Sequence, residues 1–242
     1  MTVTTVRPSS TQADGHILSA SATYATARDA YTAGSVSSTS TTSVFGDHLN
    51  ASTHNLYQGC ARFDLSGIGA EQVVSAAVFE YTTSFVAITT NAAVEMLGFD
   101  AGTLVQSADY RSGAQAAALT NYGSIPAVTN NTSTTTYQVS LNAAGIAAVQ
   151  AALAGNFGMV LIGANFIANV APTGDNRYTI RTSEDATPAR RPALIVTHRL
   201  VYEDSVSETV VIADAVGGGG LTILTGTLRV RPALTGKTNI GD

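Results

Sequence analysis

Turn-forming residues interrupt this sequence every few positions, and that spacing constrains the fold more than any single motif. Gly, Asn, Asp, Ser and Pro bound stretches of strand length rich in Thr, Val and Ala. The spacing predicts strands over Gly15–Ala20, Gln58–Asp64, Val73–Thr82, Ala93–Gly98, Thr135–Ser140, Gly158–Gly163, Arg177–Thr182 and Pro192–Thr197. About eight short strands in the first two hundred residues point to an all-β jelly-roll β-sandwich. Ser35–Ser43 (SVSSTSTTS) reads either as a flexible loop or as an extended strand carrying hydroxyls.

One segment departs from this pattern. Over Leu141–Gly155, Leu141, Val149 and Leu153 recur at multiples of four, the spacing of one helix face. Asn142 or Ser140 is placed to cap the start, and Gly155 is placed to supply a left-handed stop. A single short helix is therefore expected, with Gly145 costing it about 1 kcal/mol relative to alanine.

Composition narrows the function classes. Charged residues make up 12% of the 242-residue chain, about half the usual share, while apolar residues reach 45%. Such a surface suits a protein covered by neighbours better than a solvated monomer. The net charge is −5, the isoelectric point is near 5.2, and Lys237 is the single lysine, so no footprint for nucleic acid is present. The longest apolar runs, such as Gly158–Ala164, have strand length, so no transmembrane helix is expected, and Met1–Ser10 lacks a signal-peptide pattern. One cysteine, Cys60, excludes an intrachain disulfide and reads as a small buried apolar residue.

The chain divides into three parts by pattern: an N-terminal arm over 1–12, a jelly-roll domain over 13–201, and a C-terminal extension over 202–242. The extension holds a glycine hinge at Gly217–Gly220, followed by apolar Leu221, Ile223, Leu224, Leu228, Val230 and Leu234. It is too small to bury its own core and reads as an assembly arm. The first and last parts share a Val-Arg-Pro triplet, at Val6–Pro8 and Val230–Pro232.

Several separated motifs fit one order. Ala13–Asp14 precedes QGCARFDLSGI at Gln58–Ile68, VVSAAV at Val73–Val78, the helix, GMVLI at Gly158–Ile162, and TSEDATPARRPALIVT at Thr182–Thr197. This order, over roughly residues 13–198, resembles the DNRLRE and carbohydrate-binding-module-like jelly rolls of secreted surface proteins and bacteriophage virion proteins. The stretch from Gly226 to Gly236 is similar to short repeats of tailed-phage structural proteins. The resemblance implies a virion exterior location, with copies of the chain and other virion proteins as partners and a host surface glycan as a further one. It also implies that a calcium ion is the one structural cofactor to consider, with Asp14, Asp100, Asp109 and Asp175 as available oxygens. The tryptophan frequent in such domains is missing here.

Candidate sites are sparse. Tyr24, Tyr31, Tyr57, Tyr110 and Tyr122 fall in expected loops or loop borders, where tyrosine can stack on a sugar or on a protein neighbour. Asp47, His48 and His54, with Asp14 or His16, lack metal-ligand spacing. Arg62 and Asp64 face the same way beside Phe63 and read as an intramolecular salt bridge fixing the strand to its neighbour, or else as a ligand-binding pair. Arg181, Glu184, Asp185, Arg190 and Arg191 read as a turn laced by ion pairs. The six glutamates sit in no catalytic motif, and no nucleophile elbow or phosphate loop occurs, so no catalytic residue is assigned. The expectation is a non-enzymatic virion structural protein serving capsid decoration, neck, tail or fibre. A carbohydrate-binding module of a surface protein is the alternative.

Overall fold

The computed structural model describes residues 1–8, 13–89, 93–128 and 134–200, together with the backbone of 205–206 and 228–229. Two units result, Met1–Leu200 and Val201–Asp242. In the second, Ser205–Val206 pairs antiparallel with Leu228–Arg229. Of the expected arm residues, Leu221, Ile223, Leu224, Val230 and Leu234 lie outside the described residues, and Leu228 is placed by its backbone alone.

The first unit is all-β, as the turn spacing requires. Its strands are β1 (Thr2–Val6), β2 (Asp14–Ser21), β3 (Ser35–Ser37), β4 (Thr42–Asn50), β5 (Thr53–Asp64), β6 (Gln72–Ile88), β7 (Val94–Gly98), β8 (Asn121–Ile125), β9 (Thr135–Ser140), β10 (Asn156–Gly163), β11 (Asp175–Arg181) and β12 (Ala193–Leu200). They form one curled antiparallel sheet of twelve strands. Two long strands make the curl. β6 pairs with β12 through Gln72–Glu80 and with β11 through Thr83–Ile88, while β9 lies along its other side. β5 likewise carries β4 beside its first half and β10 beside its second, with β2 opposite. The result is jelly-roll-like: β1, β12, β6 and β9 lie side by side, and β3, β2, β5, β10, β7 and β8 form the other broad face.

All eight expected strands are present, several of them longer than expected. The N-terminal segment, expected as an arm, is β1, paired with β12 from Thr2↔His198 to Val6↔Leu194. Ser35–Ser43 is partly extended, with β3 at one end and the start of β4 at the other.

The expectation of a single helix needs correction. Besides α3 (Ala143–Ala151) the unit holds α1 (Tyr24–Arg28), α2 (Gly113–Ala117) and α4 (Ala164–Ile167), each too short to show a 3.6-residue period in sequence. Asn142 caps α3, its side chain accepting from Gly145 N at 2.9 Å. Gly155 does not stop it. The helix ends at Ala151, the Ala152 N–H closes onto the Ala148, Val149 and Gln150 carbonyls, and Gly155 has no left-handed backbone.

Two apolar clusters hold the unit together. The larger one fills the space between the sheet faces with Phe45, Phe63, Leu65, Phe79, Tyr81, Met96, Met159, Leu161, Tyr178, Leu194 and Val196, and receives Val149 and Leu153 from α3. The second lies on the other side of the broad face, where Ile17, Leu56, Cys60, Leu97, Val160 and Ile162 meet Ala27 of α1, Ala116 of α2 and Phe166 of α4. β10 thus alternates between two cores, Met159 and Leu161 into one and Val160 and Ile162 into the other. Burial on both faces is why its sequence reads as an unbroken apolar run. Cys60 is buried, and burial pushes its thiol up to about 12.

Candidate functional site

A shallow cleft of about 260 Å³ opens where β7, β8, α3 and β10 converge. Its walls come from the end of β7 and the residues that follow (Gly98, Phe99, Asp100), from Tyr122 of β8, from Ala148 and Ala152 of α3 and its C-cap, and from Asn156–Gly158 at the start of β10. Tyr122 lies flat because Gly98 has no side chain: a Cβ there would collide with the Tyr122 hydroxyl. Its ring stacks on Phe157, with centroids 5.4 Å apart and planes 27° from parallel.

The polar groups of the cleft are few. Asp100 lies at its rim, 3.0 Å from Arg62 Nε, and its Oδ1 accepts from Gly102 N at 2.8 Å. Its charge is therefore neutralised before any ligand arrives. Arg62 is in turn only 16% exposed, so this ion pair ties β5 to the segment after β7. The salt bridge expected to fix this strand to its neighbour is therefore made by Arg62, through Asp100, and Asp64 is held differently. Asp64 accepts from Ser66 N at 3.0 Å and Ser66 Oγ at 2.6 Å, bonds that hold its carboxyl below the usual range. The cleft offers an aromatic face, one paired carboxylate and one amide, which can stack a ring and bond its edge. Glycoside hydrolysis needs two carboxylates about 5–9.5 Å apart across a sugar, and Asp100 is the only carboxylate among the lining residues.

The five candidate tyrosines are dispersed. Tyr24 begins α1 beside His54, with ring centroids 5.6 Å apart. Tyr31 is 83% exposed in a bend. Tyr57 lies in β5, its ring 5.9 Å from His16. Tyr110 is fully buried and donates to Ala27 O at 2.8 Å, so it is sealed from any ligand. Tyr122 alone lines the cleft, and Phe99, Asn156 and Phe157 join it there without any signal in sequence that they meet.

The carboxylates considered for calcium are each engaged. Asp14 accepts from Ser183, Asp100 from Arg62, and Asp109 from Gln106 N at 2.7 Å, while Asp175 takes both Arg177 Nε and Nη2 at 2.6 Å. Among the described residues no three His, Cys, Asp or Glu side chains cluster as metal ligands would. The turn after β11 holds one ion pair, Arg181–Asp185 at 3.4 Å, and Arg191 Nε donates to the Asp185 carbonyl at 2.8 Å.

Two buried carboxylates stand out electrostatically. Asp14 and Asp47 are 2% and 1% exposed, and burial lifts each to about 6. Asp47 Oδ1 accepts from Asn176 Nδ2 at 2.9 Å, while its Oδ2 has no hydrogen-bond partner among the described residues. Nearby on β2, burial pushes His16 down to about 4. No helix among the described residues is long and apolar enough to cross a membrane. No protein-family model matches the chain, and no curated protein matches it either.

Proposed function

We propose that this chain is a non-enzymatic structural protein of a bacteriophage virion. It is a jelly-roll module displayed on the particle exterior as a decoration, neck, tail or fibre component, and it joins copies of itself and other virion proteins through its terminal segments. The order of motifs resembling DNRLRE jelly rolls supports the class. The observation that carries the assembly reading is β1. Among the described residues this strand pairs on one side only, with β12, and it carries no charge, no proline and no bulge over Thr2–Val6. Natural sheet edges are usually protected by such devices, and an edge without them is a template for another strand. The low share of charged residues supports the same reading. Light scattering on the full chain and on a chain ending at Leu200, which keeps both apolar clusters, tests it. A defined oligomer that falls to a smaller species on truncation is expected, and equal subunit numbers for both chains would overturn the role of the C-terminal segment.

A second reading, a carbohydrate-binding module, is favoured by one observation, the Tyr122 ring over Gly98 beside Asp100 and Asn156. Glycan-array binding lost on Tyr122→Ala would support it, and an array without signal would remove it.

A further inference from the structure

We propose that the cleft between Tyr122 and Asp100 seats the Tyr31 side chain of a second copy of this chain, so that copies join head to tail. The proposal rests on the reading of the chain as a self-assembling structural module and names one of its self-contacts.

The loop after α1 builds the projecting half. Ala30 and Ala33 pack against the second cluster, Ala33 N donates to Ser107 O at 3.0 Å, and Gly34 N donates to Leu18 O at 3.0 Å. Tyr31 stands between these anchors and is 83% exposed. Among the described residues it is the only exposed large aromatic side chain. A ring placed by an anchored loop loses little freedom on docking, and tyrosine is enriched at the centres of interfaces.

The cleft is the receiving half. At about 260 Å³ it falls below the roughly 300–1,000 Å³ of pockets for drug-sized ligands, and it suits a single side chain. The rings of Tyr122 and Phe157 and the methyls of Ala148 and Ala152 give it an apolar wall. Asp100 stands at the rim with its side chain 43% exposed, so its carboxylate has room for one more donor beside Arg62 Nε and Gly102 N. These walls fit a flat apolar group that ends in a hydrogen-bond donor, which is what a phenol is. The other exposed large apolar side chains described are Met, Val and Leu, and none of them carries a donor.

The two halves lie at opposite edges of one broad face. Tyr31 belongs to the loop between α1 and β3, Tyr122 belongs to β8, and the strands between run β3, β2, β5, β10, β7, β8. Strand spacings of about 4.8 Å put these edges roughly 24 Å apart. A projection at one edge and a pocket at the other make a heterologous contact. Such a contact adds copies in a row, which closes into a ring or continues as a filament.

Sedimentation velocity on the full chain over a concentration series tests this. Tyr31→Ala is expected to lower the assembly mass with the circular dichroism spectrum retained, because the ring is exposed. Tyr31→Phe keeps the ring and loses the donor, and it is expected to weaken self-association about 3–10-fold. Asn156→Trp fills the cleft from its exposed rim and is expected to lower the mass as Tyr31→Ala does. Each of these two chains keeps one half of the contact, so their equimolar mixture is expected to form a heavier species than either alone. An unchanged mass for Tyr31→Ala, a mixture no heavier than its parts, or a Tyr31→Phe chain that associates as tightly as its parent overturns the proposal. Each of those results leaves assembly through the terminal segments standing. A full chain that is monomeric at every concentration overturns the self-assembly reading itself. If Asn156→Trp fails to fold, the two Tyr31 variants decide alone. The carbohydrate-binding reading places a sugar in the same cleft, and under it Tyr31→Ala changes no assembly mass.

Discussion

Asp14 accepts two hydrogen bonds from Ser183, one from the backbone N–H at 2.8 Å and one from the hydroxyl at 2.6 Å, across 169 residues of chain. The contact closes the start of β2 onto the turn after β11, and both residues are buried. It also joins the first and last motifs of the sequence pattern, the Ala13–Asp14 pair and the Thr182–Asp185 turn. Removing the acceptor leaves a buried N–H unpaired. Asp14→Ala is therefore expected to cost about 3 kcal/mol in urea unfolding, and Ser183→Ala, which keeps the backbone bond, about 1–2 kcal/mol. Equal costs would mean that the hydroxyl carries the whole contact.

Asp47 sets a pH dependence of definite sign. Its folded pKa of about 6 lies above the ordinary 3.8, because burial disfavours the charge and the Asp175 carboxylate repels it. A group raised in this way gives its full stability below the unfolded value, and that stability is lost as pH rises through 6. Asp47→Asn keeps an acceptor for Asn176 without the charge. Its advantage over the parent chain is expected to grow from near zero at pH 4 to at most about 3 kcal/mol at pH 8. His16, lowered to about 4, acts in the opposite direction: its share of stability is lost as pH falls from 6.5 through 4. That share is common to both chains and cancels in the difference. Urea midpoints at pH 4.5 and 7.5 measure this, and a constant difference would exclude the ionisation of Asp47 as its cause.

The β4–β5 hairpin turns through Ala51, whose φ of 54° lies in the left-handed region. That conformation costs an L residue with a Cβ roughly 1 kcal/mol and costs glycine almost nothing. Ala51 is exposed, so no packing is lost on substitution. Ala51→Gly is expected to raise thermal stability by roughly 1 kcal/mol, less the added chain entropy, and Ala51→Val to lower it.

How much of this was legible in the sequence depended on what each segment buries. β10 was readable because both of its faces meet apolar cores, so Met159–Ile162 forms a continuous apolar run. β4 was not, because its buried positions include Ser43, Gly46 and Asp47, whose polar or missing side chains break the alternation on which a strand assignment rests. Asn142 was readable as a cap because capping is local, whereas α1, α2 and α4 are each shorter than two helical turns. The tyrosines mislead for a related reason. Tyr110 follows a loop in sequence but is buried by the packing of α1 and α4 against the broad face, where it meets Phe166 edge-on. The cleft was illegible because Phe99, Tyr122 and Asn156 come from three segments that only the sheet order brings together.

Gly145 shows the same limit and yields a test. Local propensity alone says that alanine in α3 would stabilise the helix by about 1 kcal/mol. Packing says otherwise, because a Cβ at Gly145 would stand 2.9 Å from the Leu141 Cβ and 2.9 Å from the Tyr122 carbonyl oxygen. The second neighbour is backbone of β8, which cannot rotate aside. That carbonyl also accepts from Asn142 N at 2.8 Å, so moving it disturbs the cap of the same helix. Overpacking of this kind costs about 1–3 kcal/mol, enough to cancel or exceed the propensity gain. Gly145→Ala is therefore expected to lower the urea midpoint, whereas Ala147→Gly, an exposed α3 position in the same turn, should lower it by propensity alone. A rise in stability for Gly145→Ala would show that α3 can shift away from β8, and Tyr122 would then lose the fixed position that the cleft depends on.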